Sequence, residues 1–228
     1  MKSISILGDS ISTFEGYNPE GYDVYYDWIL QRNNGIFCVE DTWWMQVINH
    51  LKGNLLVNNS FSGSRVTGKY FPAANCTERI NALSTDKYIP NVILIYIGFN
   101  DFGYGVQTRC KFFWAEKYNF FDSAYNIMLD KIKHKYSSAS VICGTLMKTV
   151  LKTDKNWFFP SDYRGYDINE YNEIIRKCCF KHSCILCDLE KTGYRYETLD
   201  TTHATAQGHK TIANAWIECI DKKIFLNM

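Results

Sequence analysis

The chain has 228 residues, 46% of them hydrophobic and 21% charged, and a formal net charge of +1. This length fits one domain, 1–228, able to bury roughly 70% of the surface its unfolded chain exposes, so neither disulfides nor a metal is needed to stabilise it. The balanced charge provides no footprint for nucleic acid and no polybasic membrane anchor, and no apolar run reaches the roughly 18 residues of a membrane span.

The first predicted element is a strand, Ile4 to Leu7, stopped by Gly8; its flanks lack the basic, apolar and cleavage regions of a signal peptide. A helix follows through Trp43, Trp44, Val47, Ile48 and Leu51, capped by Asp41 or Thr42. Leu55 to Val57 is the second strand and leads into Asn58, Asn59 and Ser60, with Gly63 just beyond. Val92 to Ile97 is the third and stops at Gly98. A helix is predicted over Phe121 to Tyr136, a strand at Val141 and Ile142, a helix over Ile168 to Lys181, and a strand over Cys184 to Leu189. A last helix, Thr205 to Ile220, places Ile212, Ala215, Trp216 and Ile220 on one face. Continuous apolar strands alternating with helices predict a three-layer α/β/α sandwich of about five parallel strands.

Three stretches fit no regular element: Thr13 to Val39, Phe102 to Asn119 and Lys148 to Tyr166. Each lies beyond the carboxyl end of a strand, where open α/β sheets bind ligands. They carry Tyr17, Tyr22, Tyr25, Tyr26, Trp28, Phe112, Phe113, Trp114, Trp157, Phe158 and Phe159, the expected pocket walls, among which Tyr17 and Trp157 are singled out as pocket residues. The nine cysteines are odd in number and follow no framework spacing, which predicts a reducing, cytoplasmic setting.

Chemistry gathers at the strand ends. Ser10, in Gly8-Asp9-Ser10, directly follows the first strand, and its hydroxyl needs an adjacent base to become a nucleophile. Asp200 stands three residues before His203, close enough to fold onto the imidazole and fix its tautomer, leaving the other ring nitrogen free to take a proton. Asn100, in Gly98-Phe99-Asn100-Asp101, follows the third strand with a side-chain amide that can donate to a developing oxyanion. Gly63 follows the second, where the missing Cβ lets a backbone amide approach substrate. Taken singly, these are weak and read more readily as a polar turn, a helix cap or a turn glycine; in chain order, each at or soon after a strand end, they form a nucleophile, a base with its orienter, and oxyanion donors.

These blocks resemble those of the SGNH hydrolase superfamily, the GDSL-like lipase/acylhydrolases. Gly8-Asp9-Ser10, Gly63, Gly98-x-Asn100-Asp101 and Asp200-x-x-His203 match from end to end of the chain, with Ala204 where a proline often follows the histidine. The resemblance implies a flavodoxin-like fold, Ser10 as nucleophile, His203 as base, Asp200 as its support, and an oxyanion hole of the Ser10 and Gly63 amides with the Asn100 side chain. It implies no cofactor and no metal. Asp9, Arg65 and Phe99 are further pocket candidates, Arg65 for a polar or acidic substrate group.

Cys184-x-x-Cys187 invites a zinc reading, but residues three apart in a strand face opposite ways and no second pair completes a site. No Walker motif or Gly-x-Gly-x-x-Gly is present, nor the Gly-x-Ser-x-Gly of common α/β-hydrolases. The expected activity is ester hydrolysis through an acyl-serine intermediate, on a small-molecule or carbohydrate (acetyl) ester, since sugars stack on aromatic faces. The alternatives are a lysophospholipase- or thioesterase-type acylhydrolase, acyl transfer to an alcohol, and a non-catalytic carbohydrate-binding protein on the same scaffold.

Overall fold

Five short apolar segments lie side by side in a computed structural model that describes residues 1–109, 116–154, 156–160 and 162–226. In chain order the elements are β1 (Lys2–Gly8), α1 (Trp28–Asn33), α2 (Trp43–His50), β2 (Gly53–Ser60), α3 (Thr77–Asn81), β3 (Val92–Tyr96), α4 (Phe99–Gly103), α5 (Phe121–Lys135), β4 (Ser140–Gly144), β5 (Thr149–Leu151), β6 (Asp162–Tyr163), β7 (Tyr166–Asp167), α6 (Ile168–Lys181), β8 (Ile185–Cys187), β9 (Tyr196–Thr198) and α7 (Ala206–Leu226). The central sheet has the order β2-β1-β3-β4-β8 and is parallel throughout. Ile4, Ile6 and Leu7 of β1 and every residue of β3 are buried. That is why these strands read as largely apolar runs: helices cover both faces of the sheet, and the buried Ser5 of β1 is satisfied by donating its hydroxyl to the Leu83 carbonyl at 2.7 Å.

Successive residues of β4 show the two faces. The Cys143 side chain interacts with Cys179 of α6, while a Cβ on Gly144 would lie 2.6 Å from the Trp216 ring of α7. Neighbours in a strand point opposite ways, so α6 covers one face, with α5 packed on it, and α7 the other, with α2 packed on it. Thr42 caps α2, its Oγ1 accepting from the Met45 N–H at 3.3 Å.

The helices and strands expected from periodicity are present. The stretches expected to be irregular hold further short elements: α1, β5, β6, the start of β7 and the last two residues of α4. The chain between the third strand and the α5 helix begins with α4, whose first residue, Phe99, directly follows Gly98 at φ +129. The remaining unexpected elements, α3 and β9, have five and three residues, too few to show a period. Phe112, Phe113 and Trp114, expected on a pocket wall, lie outside the described residues.

The register sets the site. Gly8 is level with Ser60 on one side and Tyr96 on the other, so β1, β2 and β3 end at one edge. The chain leaves that edge toward Ser10, Gly63 and Asn100. The segment carrying Asp200 and His203 spans β9 to α7 and is pinned at both ends. Thr198 bridges Ala204, the Thr205 N–H donates to the Glu197 carbonyl at 3.0 Å, and Gly208 approaches Glu197 so closely that a Cβ there would overlap its carbonyl oxygen.

Candidate active site

The turn after β1 is built before any function is asked of it. Asp9 Oδ1 accepts from the Ile11 N–H at 3.1 Å and caps a single 3-10 turn, Ser10–Ser12. Thr13 Oγ1 donates to the Ser10 carbonyl at 2.9 Å, Asn58 Nδ2 to the Ser12 carbonyl at 2.8 Å, and Trp43 Nε1 to Ser12 Oγ at 3.1 Å. Beneath it, the wholly buried Arg79 donates to the Gly8 carbonyl at 3.0 Å, to the Pro72 carbonyl and to both oxygens of Asn59. A charged side chain with this many partners is a rigid support rather than a surface group.

Three side chains meet above that turn. His203 Nε2 lies 2.9 Å from Ser10 Oγ, and His203 Nδ1 lies 2.7 Å from Asp200 Oδ2. Asp200 Oδ1 accepts from the N–H groups of His203, at 2.7 Å, and Thr202, at 3.0 Å. Burial pulls the Asp200 carboxyl upward, but the bonds to His203 outweigh it and hold the group well below the usual carboxylate range. A hydroxyl, an imidazole and a carboxylate in this order can pass a proton from the hydroxyl to the ring while the carboxylate balances the charge.

The donors expected from the second and third strand ends stand together. Asn100 Nδ2 donates one hydrogen to the Ser64 carbonyl at 2.9 Å, next to Gly63, leaving the other N–H of the amide to point elsewhere. Ser64 Oγ in turn donates to the Gly8 carbonyl at 3.4 Å. Gly63 takes φ +75, and a Cβ there would meet no protein atom within 4 Å, so open space lies before its backbone. Among the described residues the N–H groups of Ser10 and Gly63 donate to no protein acceptor. Asp101, beside Asn100, accepts from the Val66 N–H and from the N–H and hydroxyl of Thr67. It ties the loop after β2 to α4, and burial pushes its carboxyl up to about 6 despite those bonds.

Two cavities flank α4. One, of roughly 310 Å³, is walled by Phe99, Asn100, Phe102, Trp157, Phe159 and Tyr163 and reaches Thr201 and Thr202 beside His203. The other, of roughly 540 Å³, is lined by Gly63, Ser64, Arg65, Tyr70, Phe71 and Tyr104, with the Arg65 guanidinium 5.5 Å from the Tyr104 ring centroid. Of the residues expected at a pocket, Phe99, Trp157 and Phe159 therefore line the first cavity and Arg65 the second. Tyr22, Tyr25, Tyr26, Trp28 and Phe158 line neither, and nor do Asp9 and Tyr17. Asp9 is buried under the turn it caps, where burial first and the nearby Asp101 second push its carboxyl up to about 7, against the pull of the Ile11 N–H and Arg79. Tyr17 rests on Phe14 and Trp44, 5.8 and 6.0 Å between ring centroids, because the fold leaves an apolar surface at Trp44 for it to cover.

Sequence reasoning placed Tyr25 on a pocket wall rather than stacked on the imidazole of His203, and it missed Arg79, Thr13 and Ser64. Asp101 was legible as part of a motif but not as a link between loops. Nothing in the local pattern distinguishes these from other loop tyrosines, arginines or serines, because their partners are far away in the chain. Among the described residues no three His, Cys, Asp or Glu side chains come together in a way that could hold a metal ion. No helix there is long and apolar enough to cross a membrane.

A parallel α/β sheet with a serine, a histidine and an aspartate joined at its carboxyl edge defines a hydrolase class rather than one enzyme. The model of the GDSL-like lipase/acylhydrolase family matches residues 2–171, and the chain belongs to that family; it is an ester-hydrolase type of enzyme. A candidate GDSL-like lipase from Bacteroides ovatus is 25% identical, with 98% of this chain and 99% of that one covered and a TM-score of 0.71. Another, from Bacteroides uniformis, is 23% identical over 97% and 96% of the two chains, with a TM-score of 0.72. A possible lipase from Chitinophaga pinensis has the same fold at 16% identity, 99% and 100% coverage and a TM-score of 0.65. No curated protein matches the chain.

Proposed function

We propose that the protein hydrolyses small or carbohydrate acetyl esters through an acyl-serine intermediate. The observation that carries this reading is the unbroken hydrogen-bond chain Ser10–His203–Asp200 at the strand edge. Ser10 Oγ adds to the ester carbonyl carbon as its proton passes to His203 Nε2. The Ser10 and Gly63 N–H groups and the Asn100 amide receive the charge that develops on the carbonyl oxygen. The carbon–oxygen bond to the alcohol then breaks, and the imidazolium returns the proton to the departing oxygen. Water, deprotonated by the same nitrogen, cleaves the acyl-serine and restores the hydroxyl. Asp200 remains ionised and balances the imidazolium throughout.

The aromatic faces of Phe99, Trp157, Phe159 and Tyr163 beside the dyad favour a sugar as the alcohol portion, and an acetyl group asks for little room. The same apolar wall favours, as a second reading, a longer acyl chain of the lysophospholipid or thioester kind. Turnover across esters graded from acetyl to long-chain, with acetylated sugars included, separates the two: activity should fall steeply with chain length. Ser10→Ala should abolish turnover while leaving the denaturation midpoint close to wild type, and a fluorophosphonate should label wild type at Ser10 alone. Label on another serine, with Ser10→Ala still active, would overturn the mechanism, and binding of acetylated sugar without turnover would support the non-catalytic alternative.

A further inference from the structure

The long segment between β1 and α2 returns to the site at Tyr25 and Tyr26. Tyr25 lays its ring on the imidazole of His203, centroids 3.3 Å apart and planes 9° from parallel, and its hydroxyl donates to Asp200 Oδ2 at 2.8 Å. That oxygen is also the one bonded to His203 Nδ1. The other end of Tyr25 is tied to the nucleophile: its N–H donates to Thr13 Oγ1 at 2.9 Å, and Thr13 Oγ1 donates to the Ser10 carbonyl at 2.9 Å. With the Ser10–His203 contact the circuit closes, running Ser10, Thr13, Tyr25, Asp200, His203 and back to Ser10. Tyr26 braces it, edge-on to Tyr25 at 4.9 Å and with its buried hydroxyl donating to the Ala204 carbonyl at 2.8 Å.

We infer that Tyr25 is a positioning residue for the catalytic pair, its ring fixing the plane of the His203 imidazole and its hydroxyl fixing the Asp200 carboxylate that orients it. The inference rests on the proposed roles of Ser10 and His203. The segment from Asp200 to His203 is a short, partly exposed turn, with Thr201 at φ +76, and it contains no other side chain that could hold the ring flat. Without Tyr25 the imidazole can rotate about its two side-chain torsions, and a small misplacement of a base is expensive in rate. The hydroxyl has a second effect. By drawing on Asp200 Oδ2 it leaves less negative charge to stabilise an imidazolium, so its removal should move the low-pH limb of the rate profile to higher pH. Burial, reinforced by Asp200, keeps the Tyr25 hydroxyl protonated and therefore a donor. The other titratable groups acting on this cluster are Tyr26 and Asp27 from the same segment, Asp9 below it, Tyr196 of β9, and His209 of α7 with Asp41 behind it. All are retained when Tyr25 alone is replaced, so differences report on Tyr25.

The test compares wild type, Tyr25→Phe and Tyr25→Ala by kinetics on a small aryl acetate and by proton NMR of the His203 Nδ1–H, assigned by its loss in His203→Gln. Tyr25→Phe keeps the ring: kcat should stay within about threefold, the low-pH limb should move up and the Nδ1–H resonance should shift. Tyr25→Ala should lower kcat roughly 10- to 100-fold with KM little changed, and should broaden or erase the resonance. A resonance unmoved in both variants, with kcat of Tyr25→Ala within twofold of wild type, would overturn the inference. If Tyr25→Ala fails to fold, Tyr25→Phe decides alone, since it fills the same space: an unchanged limb and resonance would refute the role of the hydroxyl. The resonance is read without turnover, so an active Ser10→Ala would refute the hydrolytic mechanism and leave the test of Tyr25 standing.

Discussion

In the proposed mechanism one side chain, Asn100, serves structure and chemistry together. One of its amide hydrogens is spent on the Ser64 carbonyl, which fixes the direction of the other. Asn100→Ala should therefore lower kcat by roughly 10²–10³ and alter KM little, as for a donor engaged mainly in the transition state; steady-state kinetics checks this, and an unchanged kcat would remove Asn100 from the oxyanion hole. For His203 and Asp200 the expectation concerns protonation. In the proposed mechanism His203 accepts the proton as neutral imidazole, so kcat/KM should rise with pH along a single ionisation and then level off. His203→Ala should remove that dependence together with nearly all activity. Asp200→Asn offers an amide where Nδ1–H needs an acceptor, and a loss approaching about 10⁴ in kcat is expected if the wrong tautomer is locked. A pH–rate series on the three proteins tests all of this, and a rate that climbs with falling pH would contradict a neutral base.

At the scale of elements, close approaches decide more than propensity does. Gly144 ends β4 where α7 crosses, and an added Cβ would sit 2.6 Å from the Trp216 ring and 2.9 Å from Leu189. Trp216 cannot withdraw, because it is stacked on Trp43, 5.2 Å between ring centroids, and both tryptophans are buried. Gly144→Ala should destabilise the protein by roughly 1–3 kcal/mol through overpacking, read as a lower urea midpoint, with the kinetics of the surviving enzyme unchanged. The long elements were legible because their periods repeat: α5 and α6 place buried residues every three or four positions over 15 and 14 residues. The short ones were not. β9 has three residues and is held by its pairing with β5, a partner some fifty positions away in the chain. α1 is capped by Asp27 yet buries no side chain, so it carries no apolar stripe to read.

Over the whole molecule, buried carboxylates under the site couple folding to pH. Burial raises Asp9 from 3.8 to about 7 and Asp101 from 3.8 to about 6. A raised carboxyl binds more protons folded than unfolded, so each of these groups favours the folded state less as pH rises from about 4 through its folded value. His209 works the other way: burial lowers it from 6.5 to about 3, so its neutral ring costs stability as pH falls below 6.5. Comparing wild type with Asp9→Asn isolates one group, because Asn keeps an oxygen to accept from the Ile11 N–H. Wild type should lose stability relative to Asp9→Asn between pH 4 and pH 7, measured as the difference in urea midpoints. A difference that is flat or grows in favour of wild type over that range would contradict the buried, protonated Asp9.

The sequence by itself determined the architecture and pointed to the candidate reactive groups. Largely apolar strands alternating with amphipathic helices admit few arrangements other than a covered parallel sheet, and such a sheet delivers the residues just past its strand ends to one edge. Ser10, Gly63 and Asn100 were legible because each comes soon after a strand, and Asp200 and His203 because a spacing of three lets them pair locally. What only the tertiary structure decided is which distant residues hold those groups still. Tyr25 is 175 positions from Asp200, and Arg79 is 71 from Gly8; no local pattern encodes such a contact. The same holds for Asp9 and Tyr17. Their neighbours in the chain suggested a pocket wall, and the packing of the turn on Arg79 and of Tyr17 on Trp44 took them away from it. Short-range order arises from the spacing of apolar and polar side chains, whereas contacts across the fold exist only once the strands have set the register and brought the loops together.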